Sequence, residues 1–502
     1  MMPAAIDPDL SELEPAAVWQ HFATLCRTPR QPKREGPLRD ELRRWAGDRG
    51  LETIVDTAGN LLIRKAASRG RERAPGVVLQ AHLDMVCQKI PASAHDFAHD
   101  PIRPQRRDGW LVAEETTLGA DNGIGVALIL AALADASLSH GPLEALLTVD
   151  EEAGMGGAHG LAPGLLQGRL LLNLDTEEWG EFFVGCAGGL DVNVHRPGAA
   201  EELPATCEVW RIELHGLRGG HSGVDIHALH GNAIKLLVRV LRDLERRWPL
   251  RLVGLAGGSA RNSLPREAAA TVALPAGLGA ALAAGLDDWQ ARLRQELLGV
   301  DDRLRIDCTA AAAEGMLSVA EQAIWLASLH AAPHGVRRHS LQLPGVVETS
   351  NNLGMVAITA DAGSCNFMIR SLLDSGSEAL ADEIVSLFAL SGTVAEKAGH
   401  YPGWAPNPGS PLLALCRSVY AREFGGESTV QVIHAGLECG LIVARYPDLD
   451  MVSFGPTIRG AHAPGERVEI ATVGHCWRLL QAILTAIAAA ADGAAVAAGR
   501  RR

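Results

Sequence analysis

GVVLQAHLDM, residues 76–85, is the stretch on which the fold turns. Its first half is a short apolar run of the kind that forms a buried parallel strand, and it runs straight into His82 and Asp84. Open α/β sheets bind ligands just beyond the carboxyl ends of their strands, so chemistry-bearing residues at such an end are worth following. The pattern recurs on either side. TTLGADNGIG (116–125) places Asp121 immediately before 123–134, a segment apolar nearly all round that reads as a buried helix. LEALLTVDEEAGMGG (143–157) leads an apolar run to Asp150, Glu151 and Glu152, and LLLNLDTEE (170–178) leads another to Asp175. Far downstream, MVSFGPTIRGAHAPGER (451–467) delivers His462.

Amphipathic helical patterns at 16–26 and 38–45 complete an alternation of strands and helices over the first 190 residues, the signature of an α/β layer with a mostly parallel sheet. From about 190 to 400 the texture changes to amphipathic strands (208–214, 364–369) beside helices (233–247, 378–390), an α+β pattern repeated about twice. After the loop YPGWAPNPGSP (401–411) the α/β texture returns, with a helix at 412–423 and a strand at 450–454. The expected organisation is one α/β domain formed by 1–188 and 401–490, interrupted by an inserted α+β domain at 189–400 and followed by a tail at 491–502.

At 502 residues the chain is too long for one ordinary core, and 47% apolar with 21% charged residues is a globular composition. The formal charge of −13 and the absence of a basic block, apart from three terminal arginines, exclude a nucleic-acid partner. The opening residues show no basic segment followed by an apolar run, so no signal peptide is expected. The alanine-rich run at 482–491 is short and meets Asp492, which favours a terminal helix over a membrane span. Nine cysteines scattered without a CxxC pair read as reduced thiols of a cytoplasmic protein.

A single acid after a strand is usually a helix cap or a solvated loop residue, but five such ends in one register form a set. It offers two imidazoles and several carboxylates and no cysteine, which suits Zn²⁺, Mn²⁺ or Co²⁺ in an open hydrolytic site. His82 and Asp84, two apart on an extended segment, share a face, so Asp84 can orient the imidazole from behind. Glu151 and Glu152 are adjacent and point apart, so one can bind metal while the other acts as a general base. Nearby cations are expected to keep both ionised. Glycines at 154, 156 and 157 allow a close backbone approach.

On these motifs, together with EPAAVWQHFATLCRTPR (14–30), LDTEEWGEFFVGCAGG (174–189), GGHSGVDIH (219–227) and HAGLECG (434–440), the chain resembles the co-catalytic zinc exopeptidases, in their aminoacyl-histidine dipeptidase branch. The resemblance spans nearly the whole chain. It implies that His82 and Asp175 hold one metal, Glu152 and His462 the other, and Asp121 bridges them. Glu151 would be the general base on a metal-bridging water, Asp84 would orient His82, and a cis peptide would follow Asp121. The insert would be a lid, with His221 stabilising the oxyanion and Asn262, Arg370 and Gly436 holding the free carboxylate of a small peptide. Relatives commonly dimerise through this lid, which makes a homodimer an expectation too. IHALHGNAIK (226–235) departs from the family where arginine usually replaces His230, on the substrate side. The implied function is a two-metal dipeptidase acting on short peptides such as Xaa-His. An N-acyl amino acid amidohydrolase or a tripeptidase of the same fold is the nearest alternative, and a non-catalytic binding relative the remote one.

Overall fold

The computed structural model describes residue 10 and residues 12–499. The readings of the extreme N-terminus and of the three terminal arginines therefore lie outside the described residues. The chain divides into two compact units, one of residues 1–185, 406–432 and 438–502, the other of 186–405 and 433–437. Against an expected insert of 189–400, the second unit also takes a short return segment. The Ala187 N–H bonds the carbonyls of Ile433 and Ala435, at 3.0 and 3.1 Å, which explains why 433–437 belongs with it.

The first unit is built on an eight-stranded sheet. At its centre Val77–His82 lies parallel to both Leu143–Thr148 and Leu170–Asn173, and Asp450–Ser453 lies parallel to Leu170–Asn173. Val77–His82 and Leu143–Thr148 are buried at every position, which is what covering both faces of a parallel sheet requires. The centre is parallel as expected. The hairpin Glu52–Val55 and Leu61–Lys65 adds antiparallel strands on one side, and Glu181–Cys186 pairs antiparallel on the other.

Helix Ala120–Ala134 is buried along its length except at Asp121 and Ala134, in keeping with its unbroken apolar sequence. Asp121 and Asn122 themselves leave helical backbone angles, and the peptide bond between them is cis. The last helix, Ile470–Gly499, continues through residues read from sequence as a tail. It is long and apolar enough by composition to cross a membrane. However, Val473, Cys476, Leu480, Ile483, Leu484 and Ile487 recur every three to four residues and sit in the core of the first unit, as one stripe of a core helix does.

The second unit carries a nine-stranded sheet whose recorded pairings are all antiparallel, with its own core. Helix Ala233–Arg247 buries Leu237, Val238, Leu241 and Leu244 there, and starts where the Asn232 side chain accepts the Lys235 N–H. The strands Val347–Ile358 and Ala362–Ser371 pair as a long hairpin and set Arg370 near its end.

Candidate metal centre and active site

Each central strand of the first unit ends where its chain turns polar, and those ends converge. His82 closes Val77–His82, and its Nε2 lies 3.0 Å from Asp121 Oδ1 and 3.3 Å from Asp175 Oδ1. His462, on a loop at positive φ, places Nε2 3.2 Å from Asp121 Oδ2 and 3.2 Å from Glu152 Oε2. Asp121 thus turns one oxygen toward each of two imidazole–carboxylate pairs. Metal–ligand bonds of about 2.0–2.2 Å give tetrahedral edges of about 3.3–3.6 Å. The observed spacings are close to such edges, and Glu152 keeps a second, buried oxygen with no hydrogen-bond partner. Each half offers three donors, which leaves room for a further ligand in a four-coordinate site.

The protein's own charges point the same way. Burial, with Asp121 and Glu152 adding, lifts the Asp175 carboxyl to about 6 against the opposing pull of His82. Burial lifts Glu177 to about 8, with Asp121, Asp175 and Glu466 adding. Hydrogen bonds to Asp121 and Glu152 raise His462 to about 11. Burial would lower His82, but its carboxylate neighbours Asp175, Asp121 and Asp84 carry it well above the ordinary imidazole value. Carboxylates packed this densely call for cations, and two divalent ions would take the place of the imidazole protons.

Asp84 lies behind His82, with Oδ1 3.5 Å from Nδ1. It also accepts the N–H groups of Glu151 at 3.1 Å and Glu152 at 3.0 Å, so one buried carboxylate ties the His82 strand to the acidic loop. Burial would raise Asp84, yet His82 and those two amides hold it below its ordinary value. The Glu151 carboxyl makes no hydrogen bond or ion pair among the described residues. Burial, with Asp175, Glu152 and Glu438 adding, pushes it well above the usual range. The sequence expectation of two ionised glutamates thus needs the cations to be present. Asp150 turns away toward Lys33, 4.0 Å distant.

Within the second unit Arg370 is 4% exposed, and its contacts are all uncharged groups or an imidazole. Nη1 donates to Tyr401 Oη at 3.0 Å, Nε faces Ser222 Oγ at 3.4 Å, and Nη2 lies 3.2 Å from His221 Nε2. His221 Nδ1 accepts the Val224 N–H at 3.0 Å, which places the neutral ring's proton on Nε2. Arg370 and His221 thus meet at one point of the second unit. His434 stands close by, bonded through Nε2 to Ser350 Oγ at 2.8 Å, and burial with Arg370 and His221 pushes it down to about 3. Asn262 joins only through its carbonyl, which accepts the Ser222 N–H at 2.8 Å, and its residue is exposed. Gly436 lies in the return segment of the same unit.

Sequence reasoning missed several groups. Glu177, Glu438, Glu466 and Ser222 all sit in motifs that were read for other residues, and Tyr401 had no signal beyond opening a loop. Glu438 is fully buried beneath the centre, accepting from Gln80 and Thr148 at 2.6 Å each, and burial lifts it to about 8.

A parallel-centred α/β unit that gathers two further carboxylates and two imidazoles around one shared aspartate defines a dinuclear metallohydrolase. Comparison with known proteins gives the family. Residues 78–486 match the model of peptidase family M20/M25/M40, and the chain belongs to that family. It is 45% identical over 482 residues to the cytosol non-specific dipeptidase of Escherichia coli (strain K12), covering 96% of this chain and 99% of that protein. The crystal structure of aminoacylhistidine dipeptidase from Vibrio alginolyticus superposes with a TM-score of 0.87 at 44% identity, over 95% of this chain and 98% of that one. Aminopeptidase PepT from Bacillus cereus, at 17% identity and a TM-score of 0.56 over 95% of this chain and 99% of that one, shares the fold.

Proposed function

We propose that this chain is a cytoplasmic dipeptidase that hydrolyses short peptides with a free carboxyl end, such as Xaa-His, at a dinuclear zinc site. The carrying observation is the division of Asp121, whose two oxygens serve two separate imidazole–carboxylate pairs. His82 and Asp175 would hold one ion, Glu152 and His462 the other, with Asp121 shared between them. The N/O donor set fits Zn²⁺ best, with Mn²⁺ or Co²⁺ as substitutes. When bound, the two ions would polarise the scissile carbonyl and lower the pKa of the attacking water.

The chain's own residues do the rest. Glu151, with a carboxyl committed to no protein partner, takes the proton from the attacking water and returns it to the leaving amine. Asp84 fixes the His82 ring through Nδ1. Arg370 holds the peptide's carboxylate as a paired donor, and the second unit acts as the substrate-binding lid. His221 donates from Nε2 to the oxygen that becomes negative during attack. Asn262 and, through its backbone N–H, Gly436 complete the carboxylate end.

The test is metal analysis of the purified protein, joined to a panel of Xaa-His dipeptides, tripeptides and N-acetyl amino acids. Two ions per chain with preferred turnover of the dipeptides is the expected result. Full activity after exhaustive chelation, or turnover of the N-acetyl amino acids alone, would overturn the reading. Size measurement on the same sample would show whether the chain forms the homodimer that we also propose.

A further inference from the structure

Asp121 is the pivot of the candidate centre, yet its own helix does not orient it. Helix Ala120–Ala134 has no side-chain cap at its start, Gly119 before it is left-handed at φ 69°, and both Asp121 and Asn122 depart from helical angles. The orientation must come from elsewhere, because four leading N–H groups of a helix have no partner within it.

The first two of those amides, with the two that precede them, are taken by one distant carboxylate. Glu466, 2% exposed, accepts the N–H groups of Leu118 and Gly119 on Oε2, at 2.7 and 2.9 Å. On Oε1 it accepts those of Ala120 and Asp121, at 2.8 and 3.2 Å. The opposite polarity is met by Arg30, also 2% exposed, whose Nη2 donates to the Gly119 carbonyl at 2.5 Å. Its Nη1 donates to the carbonyls of Leu83 and Asp84, at 3.0 and 2.8 Å, in the loop that follows His82. A Cβ at Gly119 would stand 2.3 Å from Arg30 Nη2, so glycine is needed for this approach. A simple helix cap uses one oxygen on one or two amides. Here a buried anion and a buried cation grip both edges of the segment, and the cation also binds the next ligand loop.

We propose that Glu466 and Arg30 are positioning residues that set Asp121 against His82 so that the shared aspartate can face two ions at once. This rests on the dinuclear reading above. Arg30 spans the Leu83–Asp84 and Gly119 carbonyls and so sets the distance between the two ligand loops, while Glu466 sets the direction of the Asp121 backbone. Neither touches the substrate or the candidate ions.

The test uses full-length protein stripped with a chelator and titrated with Co²⁺, whose visible spectrum reports coordination geometry. Glu466→Gln replaces two acceptor sites with donors that oppose the amides. Outer partners of metal ligands typically govern affinity by about 10- to 100-fold, and a loss of that size is expected for at least one ion. The Co²⁺ spectrum should change, and kcat should fall while KM for a dipeptide stays near the wild-type value. Arg30→Lys should shift the same readings in the same direction, and Glu469→Gln, at the end of the strand Arg467–Glu469, should leave them unmoved. Wild-type ion affinity and spectrum in Glu466→Gln overturn the inference, even if thermal stability falls. Should that variant not fold, Arg30→Lys decides by the same readings. If the wild-type chain itself binds fewer than two ions, the dinuclear reading fails instead.

Discussion

Replacing Arg370 by methionine separates a residue that serves the ligand from one that serves the fold. The guanidinium is buried, and among the described residues no carboxylate pairs with it. If the partner is the peptide's carboxylate, two charge-assisted hydrogen bonds are lost, each worth about 1.5–3 kcal/mol. Taking about 3–5 kcal/mol together, kcat/KM should drop roughly 150- to 5,000-fold. Stability should move the other way, since replacing a buried, uncompensated charge with an apolar side chain of similar length is often neutral or stabilising. The assay compares initial rates on Ala-His and on its C-terminal amide. The wild-type protein should penalise the amide by a factor of the same order, and in Arg370→Met that penalty should collapse toward unity. Arg370→Lys should recover part of the acid preference because it keeps the charge and loses the fork. A variant that falls in activity but still discriminates acid from amide as the wild type does would refute the argument. So would one that simply unfolds at lower temperature.

Three other perturbations test the first unit. Glu151→Gln should retain both ions and bind dipeptide normally while kcat falls roughly 10²- to 10⁴-fold, and a near-wild-type kcat would remove Glu151 from the chemistry. Glu438 is lifted from 4.5 to about 8 by burial, so the metal-free folded chain holds a proton that the unfolded chain releases. Its stabilising contribution is complete below about pH 4.5 and fades as pH rises through about 8, and thermal melts of chelated Glu438→Gln should show a flatter pH dependence over that window than the parent. Gly455→Ala would push a Cβ to 1.7 Å from the Thr176 carbonyl, beside Asp175. Overpacking against backbone should cost about 1–3 kcal/mol, read as a lower denaturant midpoint, and an unchanged midpoint would show that the loop yields freely.

The parts of this architecture that were legible are those that local pattern encodes. Val77–His82 and Leu143–Thr148 are buried on both faces and so read as apolar runs, and each run leads to a candidate ligand at or just past its end. Helix Ala233–Arg247 was legible because its apolar residues fall on one face. Helix Gly279–Glu296 buries a stripe of Leu282, Gly285, Leu286, Trp289 and Leu293, but alanines and a glycine around it blur the contrast between faces, and the edge strand Glu52–Val55 has no buried residue to mark it. At the centre, the candidate ligands were legible as strand-end acids and imidazoles. Glu466 was not, since all four of its bonds go to backbone amides more than 340 residues away, and an amide has no side-chain identity to read. Asn262 illustrates the opposite failure, a matching motif whose side chain stands exposed while its carbonyl makes the contact.

The long insertion can interrupt this unit without undoing the centre, and the reason lies in the sheet. His82, Asp121, Glu152 and Asp175 all come from chain that precedes the second unit, and only His462 follows it. The later chain is brought back by Asp450–Ser453, which pairs in parallel with Leu170–Asn173, the strand that leads to Asp175. Register along that strand therefore places the fifth candidate ligand relative to the third carboxylate. The same returning segment carries Glu466, which holds the amides of Leu118–Asp121. One pairing event thus supplies both the last candidate ligand and the grip on the shared one. It follows that a change in the Asp450–Ser453 pairing should weaken both half-sites together, whereas a change at His462 alone should weaken only the half it shares with Glu152. Co²⁺ titration of a His462→Ala protein should accordingly show one ion retained with near-wild-type affinity. Loss of both ions would mean that the two halves are coupled more tightly than their separate ligand pairs require.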